Sequence, residues 1–405
     1  MKNELPYNWQ LVKLSEVSEI IMGQSPPSSD YNRDRIGLPF FQGKAEFTDL
    51  HPVPEKWCSI PKKIAEPNDI LLCVRAPVGI TNIANEKCCI GRGLAAIRYN
   101  PNYKYIFYFL RSVERQLDNL GTGTTFKAIS GKTIREFDIP FPPLSEQKLI
   151  VSKIEELFSE LDAGVTQLKK AQQQLKTYRQ AVLKWAFEGR LTNRKVNGEL
   201  PKGWKSLKFG ELFSESPQNG LYKSSNEYGS GTPIIRIDGF YEGVILEDYQ
   251  YKRVRLTDDE IDRYIISEGD ILVNRVNSMP YLGKCGIVKH LKEKTVFESN
   301  IMKVKLNKKV ALPEYFTMYL SSKKGVSELR KNAKQAVNQA SINQTDVSDA
   351  IVPVCPIETQ HRIVYEIKNR LGVADKMEKE IEQTLLQAEL LRQSILKCAF
   401  EGKLV

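Results

Sequence analysis

Arg179-Gln-Ala-Val-Leu-Lys-Trp-Ala-Phe-Glu-Gly-Arg-Leu191 returns as Arg392-Gln-Ser-Ile-Leu-Lys-Cys-Ala-Phe-Glu-Gly-Lys-Leu404. Nine of the thirteen positions are identical at a separation of 213 residues. The chain is therefore a duplication, and its fold is two versions of one body. Working outward, each half opens alike, with Leu5-Pro-Tyr-Asn-Trp9 matching Leu200-Pro-Lys-Gly-Trp204. Each then carries a buried-strand signal after an acid, Asp69-Ile-Leu-Leu-Cys-Val-Arg75 and Asp270-Ile-Leu-Val-Asn-Arg275. An aromatic helix follows (Tyr105-Ile-Phe-Tyr-Phe-Leu110, Tyr315-Phe-Thr-Met-Tyr-Leu320), then a polar loop, then a proline stop, Pro140-Phe-Pro-Pro143 or Pro353-Val-Cys-Pro356.

Beyond each proline stop lies a long helix. No proline falls between Ser145 and Glu188, and small or apolar residues recur at Ile154, Leu157, Leu161, Gly164, Leu168, Ala171, Leu175, Tyr178, Val182 and Trp185. The alternating spacing of three and four is the seam of a coiled coil. The second copy reads Ile367, Arg370, Ala374, Met377, Ile381, Thr384, Ala388, Leu391, Ile395 and Cys398. Arg370 and Thr384 break its apolar character, with Leu371 and Leu385 beside them to cover the gap. Such a helix is about 65 Å long at 1.5 Å per residue, and an exposed seam of that length is unfavourable in water, so the two bury each other. About fifteen residues, Gly189 to Trp204, join the first helix to the second globular part. A parallel pair requires that part to carry the chain back over ~65 Å; an antiparallel pair does not, and suits a two-fold relation between similar halves. The alternative is two unrelated long helices, each packing on its own domain.

The expected fold is thus α+β: two similar globular domains, 1–143 and 200–356, separated by two long helices forming an antiparallel coiled coil. The first helix and its linker occupy 144–199 and the second helix 357–405. The globular parts mix short strands with turns at Pro26-Pro27, Asn219-Gly220 and Gly229-Ser-Gly231.

Composition excludes several classes. Across 405 residues, 41% apolar and 27% charged, no apolar run approaches the length of a membrane span. The opening Met1-Lys-Asn-Glu-Leu-Pro6 has no signal-peptide core. Seven cysteines without a C-x-x-C pair and three scattered histidines (His51, His290, His361) argue against a disulfide framework or zinc site, and point to a reducing cytoplasm. No metal ligand set is expected. The net charge of +10 favours a polyanionic partner.

Catalytic motifs are weak. Asn100-Pro-Asn-Tyr103 partly matches the N-P-P-Y of amino-methyltransferases, but its third position differs and its proline is better read as a helix start. Gly91-Arg-Gly93 and Gly121-Thr-Gly123 are lone glycine pairs, and no G-x-x-x-x-G-K-[ST] loop exists. The chain reads as a reader with no catalytic residue. Polar loops are the candidate reading surfaces, because Arg, Lys, Asn, Gln and Thr neutralise phosphates and hydrogen-bond base edges. In the first half these are Thr124, Thr125 and Lys127, with Lys44, Arg75 and Arg92. In the second they are Gln335, Asn338, Gln339 and Asn343, with Lys223, Arg236, Arg275 and Lys284. The aligned loop carries different side chains in each half, as two heads with different targets require. Ordinary solvated loop polarity is the plain alternative for any one of them.

These residues together resemble the specificity subunit of a type I restriction-modification system. The resemblance spans essentially the full length. It rests on L-P-x-x-W in each half, D-I-L-L-C-V-R-A-P-V-G at 69–79, G-T-T-F-K-A-I-S at 123–130, P-F-P-P-L-S-E-Q at 140–147 and the A-F-E-G-[RK]-L helix ends. It implies two target-recognition domains, each reading half of a split sequence in double-stranded DNA. It also implies docking of two modification subunits, which bring S-adenosylmethionine and methylate adenine, and of restriction subunits that use Mg and ATP. The subunit itself holds no cofactor. The rivals are a self-sufficient DNA methyltransferase or nuclease, and a coiled-coil adaptor that binds no DNA. If the paired helices act as a ruler, one heptad inserted into 155–185 alone breaks the register or changes the permitted spacer between half-sites. Unchanged binding to the same spacer counts against it.

Overall fold

In the computed structural model the described residues are 5–123, 127–192, 200–241, 243–245, 250–337 and 339–405. They fall into two compact units, one made of 1–169 and 382–405, the other of 170–381. Each unit draws residues from both halves of the duplication.

In the first unit, a four-stranded sheet runs in the order Glu19–Met22, Leu94–Arg98, Ile70–Cys73, Thr81–Ile83. A five-stranded sheet of short strands, Tyr31–Asn32, Trp57–Cys58, Leu38–Phe41, Cys88–Ile90 and Ile64–Ala65, accompanies it. Gln10–Lys13 pairs with Asp138–Phe141 and ties the opening of the chain to the proline stop. The second unit repeats the central order in Gln218–Asn219, Ile301–Val304, Ile271–Asn274 and Cys285–Ile287, then extends that sheet by Gly243–Ile245 and Phe240–Tyr241. Lys205–Lys208 pairs with Ile351–Val354 as the opening strand does in the first unit. The two D-I-L strands are buried at every position because sheet neighbours flank them and core residues cover both faces. Their acids act as local caps: the Asp69 carboxylate accepts the Glu66 N–H and that of Asp270 the Ser267 N–H, both at 2.8 Å.

The long helices are Leu144–Phe187 and Ile357–Phe400, each 44 residues. Each starts on a buried glutamine. Gln147 donates to the Pro142 carbonyl and accepts from the Tyr99 hydroxyl, while Gln360 donates to the Val310 and Cys355 carbonyls and accepts from the Leu312 N–H. Each helix ends on a Schellman turn. Gly189 and Gly402 take φ of 75° and 69°, and Arg190 and Lys403 donate back to the Trp185 and Cys398 carbonyls. A Cβ on Gly402 would stand 2.2 Å from the Pro6 ring, and one on Gly189 2.3 Å from the Pro201 ring. The glycines are thus required both by handedness and by the close approach of the L-P-x-x-W segment.

The helix ends cross over. Phe400 sits edge-on against Tyr105 and Phe109 at 5.3 and 5.4 Å, so the second helix finishes in the core of the first unit. Phe187 makes the matching contacts with Tyr315 and Tyr319 at 5.3 and 5.2 Å in the second unit. In the first unit Ile150, Ile154 and Phe158 share a core with Ile395, Leu396 and Ala399; in the second, Val182 and Ala186 share one with Ile363, Val364 and Ile367. In each unit the two helices therefore run in opposite directions, which agrees with the antiparallel expectation.

The seam register follows the apolar reading through most of the first helix and departs from it chiefly in the second. Of the expected pairing residues, Ile154, Leu175, Val182, Ile367, Ile381 and Ile395 are buried, and Leu157, Leu161, Leu168 and Tyr178 are half-buried. Met377 and Leu391 are 48% and 52% exposed, and Trp185 36%. At the exposed positions the inward residue lies one on, at Ala186, Glu378, Leu385 and Arg392, while Phe158 and Arg179 turn inward next to Leu157 and Tyr178, which pack on the same cores. Two of these explain the shift. Arg179 bonds Asp375 and Glu378 at 2.6 and 2.8 Å. Its repeat equivalent, Arg392, bonds Asp162 and lies 4.5 Å over the Phe158 ring. Ion pairs place charged side chains in a seam that a hydrophobic pattern assigns to their neighbours.

Phe400→Ala removes a buried aromatic anchor and is expected to destabilise the first unit by about 3–5 kcal/mol. Hydrogen exchange should then accelerate in Tyr103–Ser112, nearly three hundred residues away in sequence, and less in Pro313–Leu320 of the second unit. Retained protection of the 103–112 helix would show that the anchor carries little.

Candidate nucleic-acid interface

Backbone hydrogen bonds gather the first unit's candidate residues. The polar loop is closed by Thr122 and Ala128, each donating to the other's carbonyl at 2.9 Å. Ala76 donates to the Lys127 carbonyl and Ile129 to that of Val74, so exposed Arg75 lies directly beside the loop. Val74 in turn donates to Gly93, next to exposed Arg92, and Gly91 donates to Phe41, which leads into exposed Lys44. A Cβ on Gly93 would stand 2.1 Å from the Gln42 carbonyl oxygen, which explains the glycine. Thr124 and Thr125 lie outside the described residues. Lys127 departs from the reading of a free cation: its ammonium is 2.5 Å from Asp118, and its stem lies along Gly121.

The second unit repeats this scaffold with other side chains. Arg275 donates through its N–H to Asn300 and through Nη1 to Ser299, and its carbonyl accepts from Ile342. Val276–Asn277 pairs with Ala340–Ser341, which pairs with Lys334–Gln335. The loop is thus a hairpin, turned by Ala336 donating to the Gln339 carbonyl at 2.7 Å, with Val337 at the tip fully exposed. Gln335 and Gln339 are exposed on it, and Asn338 lies outside the described residues. Lys284 rests over the Tyr281 ring at 4.4 Å. Asn343 is occupied structurally, as the cap of the helix Gln344–Asp349. It accepts from the Asp346 N–H while the Asp346 carboxylate accepts from its own N–H. The sequence shows that signal as N-x-x-D, a capping box, and Ser130 caps Gly131–Arg135 in the same place of the first unit.

Lys223 and Arg236 line a cleft of about 480 Å³ with Tyr222, Tyr228, Lys252, Glu298, Ser299 and Asn300. Neither is a bare cation. Lys223 is paired with Glu260 at 2.8 Å and Glu227 at 3.0 Å, which raise its pKa, Glu260 foremost. Arg236 Nε is paired with Glu298 at 3.0 Å, and that bond raises its pKa. The Glu227 carboxyl is held down at about 2, first by the Ser224 hydroxyl and then by Lys223. Lys252 and Tyr222, exposed at the cleft, carry no sequence signal that marks them out. The first unit also has a cation that the loop reading missed: Arg35 lies 5.6 Å over the Trp57 ring, with exposed Lys56 next to Trp57 in the chain. The cation next to an aromatic in Lys56-Trp57 is the signal that could have found it.

Among the described residues no cluster of histidine, cysteine or carboxylate side chains could hold a metal ion, all seven cysteines are free, and no helix is long and apolar enough to cross a membrane.

Two polar loops held on one repeated backbone frame, with parts of both long helices in each unit, define a duplicated recognition protein. The type I restriction modification DNA specificity domain matches residues 6–174 and again 201–387, and the chain belongs to that family. It is 28% identical to the EcoKI specificity subunit of Escherichia coli strain K12, over 99% of this chain and 90% of that one. Against the putative MjaX specificity subunit of Methanocaldococcus jannaschii identity rises to 40%, but over 46% of this chain and 44% of the relative. The fold matches a chain from the structural study of complex assembly and conformational transition of the type I R-M system, with TM-score 0.76, 20% identity and 99% of both chains covered. It also matches the HsdS subunit from Thermoanaerobacter tengcongensis, with TM-score 0.60, 20% identity and 99% coverage of both.

The low pKa of Glu227 has a consequence with a definite sign. Its ordinary value is near 4.5, so the ionised form stabilises the Ser224–Glu227 turn above that pH, and the contribution is lost as pH falls towards 2. A carboxyl-detected NMR titration should place the Glu227 midpoint near 2, and Lys223→Met should move it upward. A midpoint at the ordinary value in the unaltered protein contradicts the arrangement.

Proposed function

We propose that this chain is the DNA-reading subunit of a type I restriction-modification assembly, with each unit recognising one half of a bipartite target in double-stranded DNA. The observation that carries the reading is the repeated loop frame: the same backbone bonds set Val74, with Arg75 next to it, beside 122–128 and Arg275 beside 334–342, while the side chains differ. A duplicated scaffold keeps its mode of docking, and divergent loops give two sequences. Exposed Lys44, Arg75, Arg92 and Lys252 supply the phosphate contacts, so attachment weakens with salt. Lys223 and Arg236 are held by acids and are suited to directional contacts. Lys127, Lys284 and Asn343 position the surface around them.

Catalysis is left to partners in this reading. Two modification subunits bring S-adenosylmethionine and methylate adenine, and restriction subunits bring Mg and ATP for cleavage. The site of action is the cytoplasm. The exposed apolar side chains of the second helix, among them Met377 and Leu391, are available to such partners.

The test is to map methylated adenines in DNA from cells that express the chain with its modification subunit. One recurring motif of two short blocks around a fixed gap is expected. Methylation without a motif, or with a single undivided block, is incompatible with two reading units.

A further inference from the structure

We propose that Arg236 is a base-reading side chain of the second unit, aimed by Glu298 at the O6 and N7 edge of a guanine; this rests on the DNA-reading function above and goes beyond it by assigning a residue to a base.

The argument begins with Glu298, which is 7% exposed and has both oxygens engaged. Oε2 accepts from Arg236 Nε at 3.0 Å and Oε1 from the Ile237 N–H at 2.8 Å. Its backbone N–H donates to the Ile235 carbonyl at 3.0 Å, so the acid is fixed to the strand that carries the arginine. An arginine held by Nε presents its two Nη groups end-on. Neither finds a hydrogen-bond partner among the described residues. The end-on pair matches two acceptors side by side, and guanine presents that pair in the major groove; adenine replaces one acceptor with a donor.

The surroundings agree. Arg236 lines the cleft of about 480 Å³ with Tyr222, 80% exposed, at its edge. Lys223, the neighbouring cation, is occupied by Glu227 and Glu260. A phosphate anchor needs no carboxylate behind it, and a buried acid works against phosphate binding. A buttressing acid is useful when direction matters, because it removes rotamer freedom from a long side chain before binding. The first unit lacks the device. There Phe41 accepts from Gly91 as Ile235 does from Glu298, so Gln42 and Gly91 stand where the second unit has Arg236 and Glu298. The assignment therefore concerns one half-site only.

The experiment maps methylation motifs in cells expressing the modification subunit with the full-length chain, unaltered or carrying Arg236→Lys, Arg236→Gln or Glu298→Gln. Arg236→Lys keeps the charge and the ion pair but loses the paired Nη edge. It should cut the preference for guanine at one position of one half-site on the order of tenfold, with the other half-site unchanged. Glu298→Gln, nearly isosteric, should weaken the same position less. A motif unchanged in Arg236→Lys and Arg236→Gln overturns the assignment. So does uniform weakening with every base preference intact, the mark of a phosphate contact. An unaltered chain that yields no motif removes the functional reading itself, and this assignment with it.

Discussion

The crosswise anchoring of the helix ends is the constraint on which the rest of the structure depends. Phe187 closes the first helix but packs on Tyr315 and Tyr319 of the second half's aromatic helix. Phe400 closes the second helix and packs on Tyr105 and Phe109 of the first half. Each compact unit is consequently completed by a helix end that belongs to the other copy of the repeat. A buried aromatic pair contributes about 0.5–1.5 kcal/mol beyond its area, and here it also decides connectivity. Neither unit's core is whole without residues distant in sequence, so the opposed direction of the helices follows from how the cores are filled.

The same logic explains why the A-F-E-G ends outlasted divergence elsewhere in the repeat. Alanine at Ala186 and Ala399 allows close helix packing, phenylalanine fills the aromatic slot, and glycine turns the chain onto Pro201 or Pro6. The alanine, phenylalanine and glycine each answer a local steric demand. The polar loops face a different demand. Backbone bonds hold their frame, so side chains there are free to differ without loss of the fold. A recognition family gains new targets cheaply when the frame and the readout are carried by different atoms.

Charge inside the helix seam shows where pattern reading goes astray. Apolar spacing pointed to Met377 and Leu391, yet Glu378 and Arg392 turn inward because Arg179 and Asp162 meet them. Most of the seam was legible: Ile154, Leu175, Val182, Ile367, Ile381 and Ile395 are buried, and Leu157, Leu161, Leu168 and Tyr178 are half-buried. The alternate positions depended on partners that lie across the helix pair. In the candidate interface, Arg75 and Arg275 and the loops beside them were legible as polar exceptions after a buried strand. The acids behind Lys127, Lys223 and Arg236 were not, since Asp118, Glu260 and Glu298 reach them only through the fold.

Local chemistry written along the chain determined the duplication, the two long helices, their caps and stops, the buried D-I-L strands and the family. These features rest on spacing and residue type within a few turns, which a sequence displays directly. Tertiary structure alone decided which helix end fills which core, which face of each helix turns inward, and which cations are already neutralised by acids. Those outcomes depend on side chains brought together from distant parts of the chain, and no local pattern encodes a distance of that kind.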